Sequence, residues 1–177
     1  MKQSAVSECR LRVLESLSKL PQKMLAAHGH EGVTELVLHE LADEACLNFE
    51  RAAYFVDNPD FDCLKGVAGF YRTESYQPAD MDAWQDIDAF GYHVQAAPFN
   101  QKVRGLYRPS FRRRGASDKE VAGALASELG MNGHAYHMWS MRNDNHGLLV
   151  YELVGNVAFE GDDLSSAASL LSFCPVF

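Results

Sequence analysis

Apolar positions near the start of the chain recur at helical spacing. Val6, Cys9, Val13, Leu17, Leu20 and Met24 follow one another at steps of three and four, which lines them along one helix face. Arg10, Glu15, Lys19 and Lys23 fall largely between them. Pro21 has no amide to donate, so the pattern predicts a kink or a fresh helix start there. His28-Gly29-His30-Glu31-Gly32 predicts a turn, because its two glycines disfavour a continued helix. A second amphipathic helix is predicted from Val33 to Cys46. Val37, Leu38, Leu41 and Ala45 lie on one side, with Glu35, His39, Glu40, Asp43 and Glu44 on the other.

Beyond residue 50 the period changes to two. Arg51 to Val56 reads as a strand, Asn58-Pro59-Asp60 as turn chemistry, and Gly66 to Arg72 as a returning strand. The glycines of that second strand predict a bulge or a close backbone approach. Residues 77–88 are acidic, and Pro78-Ala79-Asp80 is a candidate helix entry. Gly91 to Val94 and Lys102 to Tyr107 read as strands divided at Pro98-Phe99-Asn100. Ser117-Asp118-Lys119-Glu120 fits a capping box, followed by Val121, Leu125 and Leu129 at helical spacing and by Gly130 as the stop. Residues 134–142 and 147–154 are predicted to form an antiparallel hairpin around Asn143-Asp144-Asn145-His146-Gly147. A helix from Leu164 to Leu171 and an apolar tail, Phe173-Cys174-Pro175-Val176-Phe177, complete the pattern, the tail docking on the body.

The elements together predict an α+β fold: N-terminal helices, then a mainly antiparallel sheet with one or two inserted helices. A chain of 177 residues has room for one domain. Within it, 1–48 is the helical N-terminal part, 49–160 the sheet-rich body, and 161–177 the C-terminal helix and tail. At 47% hydrophobic and 23% charged the composition is that of a globular protein. The formal charge of −8 argues against nucleic-acid or anionic-membrane partners. There is no apolar run of about eighteen residues to span a bilayer. Charges scattered through the first twenty residues predict no cleavable secretory signal, hence a cytoplasmic location. Cys9, Cys46, Cys63 and Cys174 form no CxxC and are expected to be reduced and mostly buried.

One cluster carries candidate chemistry. Arg104, Arg108, Arg112, Arg113 and Arg114 gather in an otherwise acidic chain and lead into Gly115 and a helix start, where free amides favour an anion. The run from Leu106 to Ser117 resembles the acyl-CoA loop of the GNAT acetyltransferases, in which a strand leads to an R/Q-x-x-G-x-G/A turn. Arg112, Gly115 and Ser117 occupy the matching positions. Tyr54-Phe55-Val56-Asp57 with Gly66 to Phe70 is similar to the family's preceding hairpin, and Tyr151-Glu152-Leu153-Val154-Gly155 to its tyrosine-bearing segment. The resemblance implies acetyl-CoA as cofactor. Arg112, Arg113, Arg114, Gly115, Ala116 and Ser117 would hold its pyrophosphate, and Tyr151 would protonate the departing thiolate. A solvated arginine loop balancing nearby carboxylates, or a seat for another anion, has the same residue pattern.

The histidines give a weaker pattern. Glu35, His39 and Asp43 form an i, i+4, i+8 line, and His39-Glu40-Leu41-Ala42-Asp43 resembles a zincin HExxH helix. Asp43 stands where that motif needs its second histidine, so no zinc site is expected and the solvated helix face is the reading. His28 and His30 could join only as loop ligands. No G-x-S-x-G elbow and no G-x-G-x-x-G turn occurs. Two functions remain open. One is an acyl-CoA-dependent N-acyltransferase. The other is a non-enzymatic acidic α+β binding or protein-interaction domain with a small-molecule or protein partner, its N-terminal helix available for pairing, including as a homodimer.

Overall fold

The computed structural model describes residues 2–78, 81–155 and 161–175, with the side chains of 2–7, 9 and 161 excepted. Two helices open the chain, α1 (Lys2–Ala26) and α2 (Val33–Ala42). Strands β1 (Phe49–Asn58) and β2 (Cys63–Tyr71) follow, then helices α3 (Ile87–Ala96) and α4 (Pro98–Arg104). A two-residue strand β3 (Tyr107–Arg108), a single turn α5 (Phe111–Arg114) and α6 (Asp118–Leu129) lead to β4 (Ala135–Ser140), β5 (His146–Leu153) and α7 (Gly161–Leu171). The sheet has the order β3-β2-β1-β5-β4, and every neighbouring pair is antiparallel. The α+β class and the hairpin of β4 and β5 are as the sequence predicts.

β1 is central, and helices cover both sheet faces, so its residues 52–57 are all buried. Their alternation sorts two cores. Ala52, Tyr54 and Val56 join Leu149 and Tyr151 beneath α1, α2 and α7. Ala53 and Phe55 join Leu148 and Val150 beneath α4, α5 and α6. The predicted bulge lies between Tyr54 and Phe55, opposite the glycine-rich strand. Close approach is present too: a Cβ on Gly66 would run into the Val103 carbonyl. Asn100 fixes that contact, accepting from the Gly69 amide at 2.8 Å and donating to the Val94 carbonyl at 2.8 Å.

Three local expectations are corrected. Residues 91–94 and 102–104 are helical rather than strands, and of 105–107 only Tyr107 joins the sheet. Phe90 with Val94, and Phe99 with Val103, are buried pairs at i, i+4. Asp86 caps α3 by accepting from Ala89, and Pro98 opens α4. The helical insertion between β2 and β4 is correspondingly longer than the pattern suggests. There is no fresh helix start at Pro21: α1 continues through it, and the missing amide costs one turn's hydrogen bond. Burial of Leu20 before it and Ala27 after it holds the chain against the body on both sides. α2 ends at Ala42 rather than Cys46, because Asp43 turns extended and accepts from the Ala45 amide at 2.8 Å. The helix entry read at Pro78-Ala79-Asp80, and the end of the tail at Val176-Phe177, lie outside the described residues.

Candidate functional site

The arginine segment is anchored by a carboxylate from the central strand. Asp57 is fully buried at the end of β1. It accepts from the Ser110 hydroxyl at 2.9 Å and from the Phe111 amide at 3.3 Å. Asp62 accepts from the Ser110 amide at 3.1 Å, and Ser110 caps α5 by accepting from the Arg113 amide. Burial pushes the Asp57 carboxyl above its ordinary range, opposed by the Ser110 hydroxyl and by backbone amides of the same turn. Gly115 then closes α5 in the left-handed region at φ 67°.

The amides that a pyrophosphate would need are occupied. Ser117 and Glu120 form the full capping box: the Ser117 hydroxyl accepts from the Glu120 amide, and Glu120 accepts from the Ser117 amide at 3.0 Å. Bonds from Ser117 hold the Glu120 carboxyl below its ordinary value. Arg112, Arg113, Arg114 and Gly115 are exposed, and Ala116 is half-buried. Arg112 lies 3.4 Å from Asp118 and leans over the Phe111 ring. Arg108 makes a two-pronged contact of 2.7 Å with Glu128, and Arg104 lies 2.7 Å from buried Glu35. Among the described residues Arg113 and Arg114 have no carboxylate partner.

Tyr151 is not brought to this segment. It is buried on the α1–α2–α7 side of the sheet, its ring 5.0 Å from that of Phe49, whereas Phe111 and Ala116 pack on the opposite side. Burial raises its hydroxyl pKa.

The Glu35–His39–Asp43 line does not converge on a common point. Glu35 turns to Arg104, and Asp43 to the Ala45 amide. His39 stands edge-on to Phe70 and Phe90, each 5.5 Å away, with its Nε2 buried and unpartnered. Desolvation lowers its pKa. His28 and His30 are exposed on the turn between α1 and α2. Among the described residues no group of three histidine, cysteine or carboxylate side chains could hold a metal. Cys46 and Cys174 are buried thiols whose pKa burial pushes up to about 12, and Cys63 is half-buried.

Features missed in the linear sequence lie around α1. Val13, Leu20 and Ala27 press it onto the body. On the opposite face Leu11, Leu14 and Leu25 are 68%, 48% and 76% exposed, in one line with Ser18 and Pro21. A cleft of about 950 Å³ runs along one side of the helix. Its charges are consumed internally: Lys23 lies 2.6 Å from Glu40, and Arg72 donates to the Ala42 and Phe49 carbonyls. A groove of about 910 Å³ lies on the other side, between the end of α1 and the C-terminal segment. Pro21, Met24, Leu25, Leu170, Phe173 and Pro175 make it predominantly apolar. The Thr34 hydroxyl bonds the Pro175 carbonyl at 3.0 Å and fixes its far wall. Leucines at 11, 14 and 25 were the available signal, hidden behind the stronger stripe on the inner face.

In comparisons with known proteins, the chain matches no family model, no curated protein and no solved structure.

Proposed function

We propose that the chain is a non-enzymatic α+β interaction domain that self-associates through the outer face of α1. The supporting observation is that one helix carries two apolar stripes, and only one of them is used by the fold. Val13 and Leu20 have their partners, while Leu11, Leu14 and Leu25 project from the opposite side. Large apolar side chains aligned on a helix surface are a recognition feature, since a helix docks on another through side chains at this spacing. The acyl-CoA reading draws no comparable support. Ser117's amide is already bonded, and Tyr151 packs across the sheet from the arginines.

Light scattering on the purified chain tests the proposal. The expected result is a mass above that of the 19.7 kDa monomer, returning to the monomer when Leu11 and Leu14 are both replaced by glutamate. A wild-type monomer at all concentrations, with melting raised several degrees by acetyl-CoA, would overturn it in favour of the acyltransferase.

A further inference from the structure

The turn between α6 and β4 is pinned by an ion pair of the sheet. Arg51 on β1 and Glu152 on β5 stand opposite each other, with Arg51 Nε 3.6 Å from Glu152 Oε2. Arg51 donates to the Gly130 carbonyl at 2.9 Å. Glu152 Oε1 accepts from the Asn132 amide at 2.6 Å and from the Gly133 amide at 3.2 Å. Two side chains of adjacent strands therefore hold three backbone groups of one short turn.

Asn132-Gly133 is the chemically labile part of that turn. Of the seven asparagines in the chain, only Asn132 precedes a glycine. Both residues are exposed, and the space a Gly133 Cβ would occupy is open. A glycine amide nitrogen has no neighbouring Cβ to shield it, so it can reach the carboxamide carbon of the residue before it. We infer that Asn132 is a site of spontaneous deamidation and that Glu152 is its guard. In the reaction the Gly133 nitrogen gives its proton to solvent and bonds to Asn132 Cγ, while the Cγ–Nδ2 bond breaks and releases ammonia. Water then opens the cyclic imide at either carbonyl, leaving aspartate or isoaspartate, and nothing is oxidised or reduced.

Glu152 opposes the first step. Two successive amides directed at one oxygen face the same way, which turns the Gly133 nitrogen away from the Asn132 side chain. Ring closure needs the peptide unit between them to rotate, and rotation gives up the shared acceptor. The reactive arrangement is reached only through local opening of the turn. The product then defeats the guard. A new carboxylate close to Glu152 repels it, and isoaspartate lengthens the main chain so that the two amides no longer converge. Conversion is irreversible, and it loosens the tie between the end of α6 and the sheet.

Peptide mapping by mass spectrometry tests the inference on the whole chain, incubated in mildly alkaline buffer with and without urea. Conversion is expected at Asn132 before any other asparagine. It should be at least ~10-fold slower in the native protein than in urea, a factor within reach of one charge-assisted hydrogen bond. Glu152→Gln, checked for folding by circular dichroism, should move the native rate toward the rate in urea. Amide exchange at Gly133 in the wild type is a readout independent of that variant and should show protection of similar size. Earlier conversion at Asn143 or Asn145 overturns the site. Equal rates with and without urea, free exchange at Gly133, or a folded Glu152→Gln that keeps the wild-type rate overturns the guard.

Discussion

The Ser110 hydroxyl donates to Asp57 Oδ2 at 2.9 Å, tying the arginine segment to the central strand of the sheet. Both groups are buried, and the same carboxylate also takes the Phe111 amide. Asp57→Ala would orphan two donors in the interior. The expected loss is ~2–4 kcal/mol of folding stability, measured by urea denaturation. Asp57→Asn keeps an acceptor without the buried charge and should lose no stability at neutral pH. Because the native carboxyl pKa is raised, ionisation opposes folding as pH rises through that value. The protonated side chain resembles asparagine, so wild type and Asp57→Asn should converge in stability in acid.

His39 makes stability pH-dependent in the opposite sense. Its native pKa is depressed below the ordinary 6.5 by desolvation, opposed by a hydrogen bond with the Tyr76 backbone and by Asp43, with His93 and Arg72 adding to the depression. The unfolded chain therefore binds the proton more readily, and stability falls as pH drops below about 6.5. Melting curves from pH 7 to 5 should show that decline, and His39→Gln should flatten it. His137, also lowered by burial, keeps part of the slope in the variant.

The two faces of α1 should respond differently to truncation. Leu20 is 3% exposed, and Leu20→Ala is expected to cost ~2–5 kcal/mol. Leu11→Ala should change monomer stability by less than ~0.5 kcal/mol, because it removes no contact of the fold. Denaturation at high dilution, where association is absent, separates the two. Equal losses at both positions would show that the outer stripe belongs to the core.

Gly66 and Gly115 provide a second contrast. Gly66→Ala would drive a methyl group into the Val103 carbonyl, between two backbones that neither side can yield cheaply. Gly115 has open space around it and only the cost of its positive φ, ~1 kcal/mol for alanine. Expression and thermal melting should show Gly66→Ala unfolded or strongly destabilised, and Gly115→Ala folded.

Segments that carry their own local chemistry were legible in the sequence. Ser117 and Glu120 satisfy each other within one turn, and residues 141–145 close a hairpin between runs that favour strands. α3 and α4 were not, because each is short and Phe90–Val94 or Phe99–Val103 supplies only one helical repeat. Such a pair fits either period until Asp86 or Pro98 is recognised as a start. The surface around α1 was hidden for another reason. Leu11 and Leu25 look like ordinary helix residues until Val13 and Leu20 have chosen which face is inside. The groove, moreover, joins residues near 25 to residues near 173.

The pairing of β1 with β5 also governs the order of assembly. Each of the two hairpins can form within microseconds from its own short segment. Zipping them together pairs Phe49 with Leu153, closing about a hundred residues of chain that contain four helices. That seam is the rate-limiting event expected of folding, since long-range antiparallel pairing carries the entropy of everything between its ends. Until it closes, Tyr54 and Leu149 have no shared interior. A chain cut between α3 and α4 would then have to join its strands as a second-order reaction, slower on dilution.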